Sequence, residues 1–195
     1  KACKPFDKNR DGFVMAEGST VLILESESSA KDRDAKVYGY ISGYGSSTDA
    51  YHITAPSEGG IGALRAMEQA ISNADISKEN IDYINAHGTS TPANDLNETL
   101  AIKSLMNDYA YEVNISSTKS MTGHLLGGGG AFEAMASLLS MKNNQIPPTI
   151  NLNDSDKDCD LNYTANQSVD KNIDHVMSNS FGFGGHNAVL IFSKE

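Results

Sequence analysis

Apolar and polar positions alternate along the chain with two periods. Thr20-Val21-Leu22-Ile23-Leu24 is a continuous apolar run and predicts a buried strand; Val37 to Tyr44 predicts a second. The short polar stretch between them, Ser26 to Asp34, predicts a helix. From Gly59 to Ala74, Ile61, Leu64, Met67 and Ile71 fall on one helical face. Ile81 to Ala86 predicts the next strand. Asn94 or Asp95 is placed to cap a helix running to about Met106, with Leu96, Leu100, Ile102 and Leu105 as its apolar positions. Tyr111 to Ser116 is strand-like again, and a long helix follows from near Gly123 to Lys142. Pro147-Pro148 stops any further helix. Asp160 to Tyr163, Ile173 to Ser180 and Ala188 to Phe192 predict a β-rich tail, and Asn151 to Asp160 reads as a solvated acidic loop. Strands alternating with helices, then a β-rich end, predict an α/β layered fold with a mixed sheet.

The 195 residues fit one domain or a small pair of them. No apolar run approaches the roughly 18 residues that a membrane span needs. The net charge of −10 argues against a generally basic nucleic-acid surface. Two Cys without CxxC or Cys/His spacing predict neither a disulfide framework nor a zinc site. The chain opens KACKPFD, with neither an initiating Met nor a signal-peptide pattern, and reads as the middle of a longer polypeptide.

Two motifs suggest ligands and fail on inspection. Asp7-Lys8-Asn9-Arg10-Asp11-Gly12 begins like a calcium loop, but its twelfth position is Gly18 where the loop needs a two-oxygen Glu; a charged turn is the better reading. Gly127-Gly128-Gly129-Gly130 lacks the Lys-Ser/Thr of a phosphate loop, and four glycines opening a helix predict close approach by another backbone. His52 and His175 read as structural, Cys3 as an incidental thiol, and Cys159 as a small buried residue.

Three loops carry chemistry that a core does not require. The segments Asn85 to Pro92 and Ser116 to His124 each follow a predicted strand, which puts His87, Lys119 and His124 at strand C-termini, where α/β sheets bind ligands. The segment Asn179 to Asn187 is a glycine-rich turn between two late strands, with Phe181 and Phe183 at its tip. Two neutral imidazoles converging on one oxygen stabilise an oxyanion or enolate. A Lys near His124 adds positive charge and can pair with a carboxylate such as Glu98, and glycines around Phe183 let the backbone approach a substrate.

Taken with PFDKNRDGFVMAEGS, DAYHITAP, INAHGTSTPAND, SSTKSMTGHLLG, IPPTINL and SNSFGFGG, in that order and over almost the whole chain, these loops resemble the C-terminal half of β-ketoacyl-[acyl-carrier-protein] synthases, the elongating condensing enzymes of type II fatty acid synthesis. Polyketide synthase modules usually read HGTGT, so Ser90 and Pro92 lean toward the fatty-acid branch. The resemblance implies a thiolase-like fold of two similar halves in five α-β-α-β-α layers. Residues 1–35 would complete the first half, and residues 36–195 would form the second around a mixed five-stranded sheet. It implies decarboxylative Claisen condensation, with His87 and His124 as the two catalytic His, Lys119 as their electrostatic support, and Phe183 as a gating residue whose N–H joins the oxyanion hole. Thr89, Thr91, Phe181 and Gly182 match substrate-binding positions. Asn85, Glu98, Ser178 and Asn179 match positions that hold a structural monovalent cation in some members; no other cofactor is implied.

The family nucleophile is a Cys on an elbow in the first half, and neither Cys3 nor Cys159 has that context, so the isolated chain is expected to be inactive. The implied partners are an acyl carrier protein, presenting acyl and malonyl thioesters, and a second copy of the enzyme; no nucleic acid and no membrane span are implied. The acidic carrier would need local cationic patches or the other half to dock. His186 stands where bacterial members usually have Thr, and Gly128 to Gly130 where Ala-Ala-Gly is usual. A bacterial cytoplasm and a plastid-type organelle both fit. A non-catalytic chain-length-factor-like subunit is the competing expectation, disfavoured because both His and Lys119 are present.

Overall fold

Five strands form one mixed sheet, and the computed structural model, which describes residues 2–194, places helices on both of its faces. In chain order the elements are α1 (Glu27–Asp32), β1 (Tyr40–Thr48), α2 (Ile61–Ala74), β2 (Tyr83–Asn85), α3 (Pro92–Met106), β3 (Asn114–Ser116), α4 (Lys119–Thr122), α5 (Gly129–Asn143), β4 (Gln145–Ile146), β5 (Val169–Asp170), β6 (His175–Gly182) and β7 (His186–Ser193). The sheet order is β1-β7-β6-β2-β3. β2 runs parallel to β3 and β6, while β7 is antiparallel to both β6 and β1. The mixed five-stranded α/β sheet expected from the pattern is therefore present.

Side-chain alternation divides the core in two. Ile84, Met177, Val189 and Ile191 face one way and pack with Ala66, Met67 and Ala70 of α2 and Ala101, Ile102 and Leu105 of α3. Their neighbours Tyr83, Val176 and Phe192 face the other way and pack with Ala134 and Met141 of α5. Both faces are covered, which is why consecutive residues of β2 and β6 are buried rather than every second one. β2 and β3 end together: Asn85 pairs with Ser116 in register, so the loops after both strands leave from the same edge.

Five expectations are corrected. Thr20 to Leu24 is extended but pairs with no strand among the described residues. Val21 and Ile23 are 82% and 79% exposed, and Leu22 alone packs inward, against the core on the α5 side. Asp160 to Tyr163 is also not a strand; its one ladder-like bond runs from the Ile115 N–H to the Asn162 carbonyl. Helix α3 is capped by Thr91, whose hydroxyl accepts the Asn94 N–H, because Pro92 suits the first helical position and fixes the start there. The helix expected from Gly123 begins at Gly129, after α4 and a short 3₁₀ turn. Of the four glycines, Gly128 approaches the Gly18 carbonyl, but a Cβ at Gly127 or Gly129 would meet nothing within 4 Å, so close packing does not account for the run. The Asp7 turn is the charged turn expected: its carboxylate accepts the N–H groups of Asn9, Asn153 and Asp154. No helix among the described residues is long and apolar enough to cross a membrane.

β1 lies unusually close to α2. A Cβ on Gly45 would sit 1.9 Å from the Ala66 carbonyl oxygen and 2.7 Å from the Ala70 nitrogen, and both are backbone atoms that cannot swing aside. Gly45→Ala is expected to destabilise the fold by about 1–3 kcal/mol or more, as overpacking does. Urea unfolding measures it; an unchanged midpoint would contradict this contact.

Candidate active site

His87 follows β2 directly and is almost fully buried. Its loop hangs on one carboxylate: Glu98, nearly two turns into α3, accepts the His87 N–H on Oε1 and the Gly88 N–H on Oε2, both at 2.8 Å. Gly88 has φ +37°, and a Cβ there would come 2.5 Å from that of Ser117, so the turn after His87 requires glycine. Burial holds the Glu98 pKa above its ordinary value, and the bonds from Gly88, Asn179 and His87 offset part of that.

Lys119 opens α4, just past the end of β3, and is 2% exposed. Its ammonium has three donors and three acceptors around it: the His87 carbonyl at 2.6 Å, His87 Nδ1 at 3.3 Å, and the Glu133 carboxylate of α5. The expected partner, Glu98, is instead committed to the His87 loop. Burial raises the Glu133 pKa and the Lys119 charge pulls it back; the geometry is that of an ion pair.

An ammonium only donates, so His87 Nδ1 must accept, and the free donor of that ring is Nε2–H. His124 reaches the same tautomer by another route. Its Nδ1 accepts the Leu126 N–H at 3.1 Å. The two rings stand 5.5 Å apart, centroid to centroid, at 82°. Burial, then the charge of Lys119, lowers the His87 pKa well below the usual range, and the same two causes bring His124 to about 4. Both imidazoles are neutral at neutral pH and offer Nε2–H.

They line a cavity of about 700 Å³ together with Lys119, Thr89, Thr91, Phe181, Gly182 and Phe183. The eight catalytic and substrate-binding candidates therefore meet in one place. The Thr89 and Thr91 hydroxyls are 2.9 Å apart. The Phe181 ring lies 5.6 Å from His87. Phe183 stands at the β6–β7 turn, 63% exposed, with the neighbouring Gly184 N–H bonded to the Ile53 carbonyl at 2.6 Å. Gly127, Gly129 and Gly130 also line the cavity, so the glycine run leaves space for an occupant.

The side chains of the four residues expected to hold a monovalent cation do not all face one point. Alternation puts Asn85 and Ser178, register partners across β2 and β6, on the α5 side. Asn179 points the other way, donating to Glu98 and contacting Met67. Each Glu98 oxygen already accepts a backbone N–H. Buried Asn85 and the Asn179 oxygen lack hydrogen-bond partners, but on opposite faces.

Other candidates settle as expected. Buried Cys3 accepts the Val14 N–H, buried Cys159 has its thiol pKa raised by burial, and neither lines the cavity. His175 is bonded to Ser193 within the sheet. His52 accepts the Thr54 and Ala55 N–H groups, and exposed His186 lies at the cavity edge. Sequence reasoning missed Glu133, although it is the one acidic residue of α5. It also missed Phe13, whose ring meets His124 edge-on at 4.8 Å and which carries no local signal.

Two sequence models of one family match the chain, the beta-ketoacyl synthase C-terminal domain over residues 38–153 and the beta-ketoacyl synthase N-terminal domain over residues 1–30. Among curated relatives, the 3-oxoacyl-[acyl-carrier-protein] synthase 2 of a Synechocystis species is 55% identical over 99% of this chain and 46% of its own length. The Staphylococcus aureus protein of the same name is 52% identical over 99% of this chain and 47% of its own. The chain thus spans about half the length of these relatives. A chain in a structure of a type II polyketide synthase acyl-carrier protein in complex with its ketosynthase superposes with TM-score 0.97 at 41% identity, over 100% of this chain and 48% of that one. A beta-ketoacyl synthase from Burkholderia phymatum gives 0.90 at 38%, over 98% of this chain and 46% of its own. The sheet, the His-lined cavity and these matches together show that the chain belongs to the β-ketoacyl synthase family.

Proposed function

We propose that the chain supplies the decarboxylating half of a 3-oxoacyl-[acyl-carrier-protein] synthase. A malonyl thioester on acyl carrier protein enters the cavity and loses CO2, and the electron pair of the broken C–C bond moves onto the thioester oxygen as an enolate. Nε2–H of His87 and of His124 donate to that oxygen. The enolate carbon then attacks the carbonyl of an acyl group held as a thioester on a cysteine. The new C–C bond forms, the C–S bond breaks, the sulfur leaves as thiolate, and a 3-oxoacyl thioester remains on the carrier. The paired neutral imidazoles carry this reading, because a preorganised pair of donors is what a developing oxyanion requires. Lys119 contributes field and fixes the His87 tautomer, and Phe183 at the mouth controls entry.

The acylated cysteine belongs to polypeptide outside these 195 residues, since Cys3 and Cys159 are both buried away from the cavity. Residues 1–35 complete that other half. The exposed run with Val21 and Ile23 outward supports this, as does the division of the family matches between residues 30 and 38. The whole enzyme acts as a homodimer, in a bacterial cytoplasm or a plastid-type compartment. With −10 of net charge here, the acidic carrier docks mainly on the other half. Higher identity to the 3-oxoacyl synthases than to the polyketide ketosynthase supports the fatty-acid branch.

In the complete enzyme, His124→Ala is expected to lower malonyl decarboxylation and condensation at least ~100-fold, as loss of one oxyanion donor does, with the fold intact. Elongation at the wild-type rate, assayed with acyl- and malonyl-carrier protein, would overturn the assignment. The pH dependence has a definite sign. The His124 pKa falls from 6.5 in the unfolded chain to about 4 in the folded protein. Between those values the unfolded chain binds more protons, so this residue's contribution to stability is greatest above pH 6.5 and is lost as pH drops toward 4. Proton NMR titration should place its midpoint near 4; a midpoint at 6.5 contradicts the burial argument.

A further inference from the structure

Both histidine loops are held by one segment that belongs to neither, residues 3–16. On the His124 side it makes a short parallel bridge: the His124 N–H donates to the Val14 carbonyl at 2.8 Å, and the Ala16 N–H donates to the His124 carbonyl at 3.0 Å. Phe13 packs on the imidazole itself. On the His87 side the same segment is fastened at Ser90 and Asp95, and Arg10 also pairs with Asp95 and donates to the Pro92 carbonyl. The Lys4 N–H donates to Ser90 Oγ at 2.8 Å, and the Gly12 N–H donates to the Ser90 carbonyl at 2.8 Å. The Ser90 N–H donates to Asp95 Oδ1 at 3.2 Å, and the other oxygen of Asp95 accepts the Phe6 N–H at 2.8 Å. Every polar group of Ser90 is thus bonded, and the residue is fully buried.

The backbone at Ser90 makes this arrangement informative. Its φ is +71°, a conformation that costs any residue with a Cβ and is free to glycine. A serine there bears a strain that glycine would relieve. In return it offers the one group glycine lacks, the Oγ that receives Lys4. The bonded residues 3–16 lie in the part of the chain matched by the N-terminal-domain family model, while Ser90 and both histidines lie in the part matched by the C-terminal one. We infer that Ser90 is a positioning residue: it clamps the 3–16 segment onto the His87 loop, and that segment, bridged to His124 at its other end, sets the spacing between the two imidazoles. The inference rests on the proposed role of the two histidines as oxyanion donors.

The test uses the complete enzyme, carrying both halves, with two substitutions at position 90 and one reference. Ser90→Gly removes Oγ and the strain together, so the protein folds; Ser90→Ala removes Oγ and keeps the strain. His87→Ala is the reference. Three quantities are measured: malonyl-carrier decarboxylation, its KM, and acylation of the cysteine by acyl-carrier protein. A displaced donor pair lowers kcat steeply, so Ser90→Gly and Ser90→Ala should each lower decarboxylation kcat about tenfold, with KM and cysteine acylation within roughly twofold of wild type. Wild-type decarboxylation in Ser90→Gly, alongside loss in His87→Ala, overturns the clamp and leaves the proposed function standing. An equal fall in acylation and decarboxylation also overturns it, because that signals general loosening. Wild-type decarboxylation in His87→Ala refutes the reading on which the clamp rests.

Discussion

Lys119 sits at the junction of three elements, its charge almost out of reach of water. Burying an ammonium costs several kcal/mol unless it is paired and fully bonded. Glu133, projecting from α5 across the sheet end, supplies the countercharge, and the His87 carbonyl and Nδ1 take the other two donors. The arrangement ties β3, α5 and the His87 loop into one unit. It also forbids His87 Nδ1 a proton, which turns the free Nε2–H into a donor. Removing either partner would strand a buried charge, at a cost of ~3–5 kcal/mol. The pair is better understood as fixing an orientation and a tautomer than as a source of stability.

Around that point the fold supplies placement. Parallel β2 and β3 end in register, so His87 and Lys119 leave the sheet side by side. Glu98 fastens the first loop from the α3 side, and Glu133 fastens the second from the α5 side. Two carboxylates on opposite faces of one sheet thus serve one site. His124 is positioned differently, by backbone bonds to the 3–16 segment and by its own Nδ1 bond to Leu126. The two imidazoles reach the same protonation state through unrelated contacts, one to an ammonium and one to a peptide N–H.

Much of this was legible in the sequence. Alternating runs at β2, β6 and β7 and the periodicity of α2 located the sheet and its first helix, and three loops at strand ends located the cavity. What escaped had non-local causes. The Thr20–Leu24 run has the composition of a strand, but strand formation needs a neighbouring ladder, which composition does not supply. Asn94 and Asp95 look like caps because short polar side chains favour helix starts, but Pro92 moves the start forward and leaves Asp95 to bind Phe6 and Ser90. Glu98 and Glu133 are both acidic residues on helices near the site. Which one meets Lys119 depends on which face of the sheet each helix covers. The expected cation set spans both faces for the same reason: the side chains of adjacent Ser178 and Asn179 necessarily face opposite ways on a strand.

The central claim is that both active-site imidazoles are neutral and carry their proton on Nε2. Nitrogen-15 chemical shifts of His87 and His124, measured by NMR in the complete enzyme at neutral pH, test it most directly, because protonated and bare ring nitrogens give well-separated signals. The account predicts a protonated Nε2 and a bare, hydrogen-bonded Nδ1 in both rings. A proton on Nδ1 of either ring, or an imidazolium at either position, would contradict it.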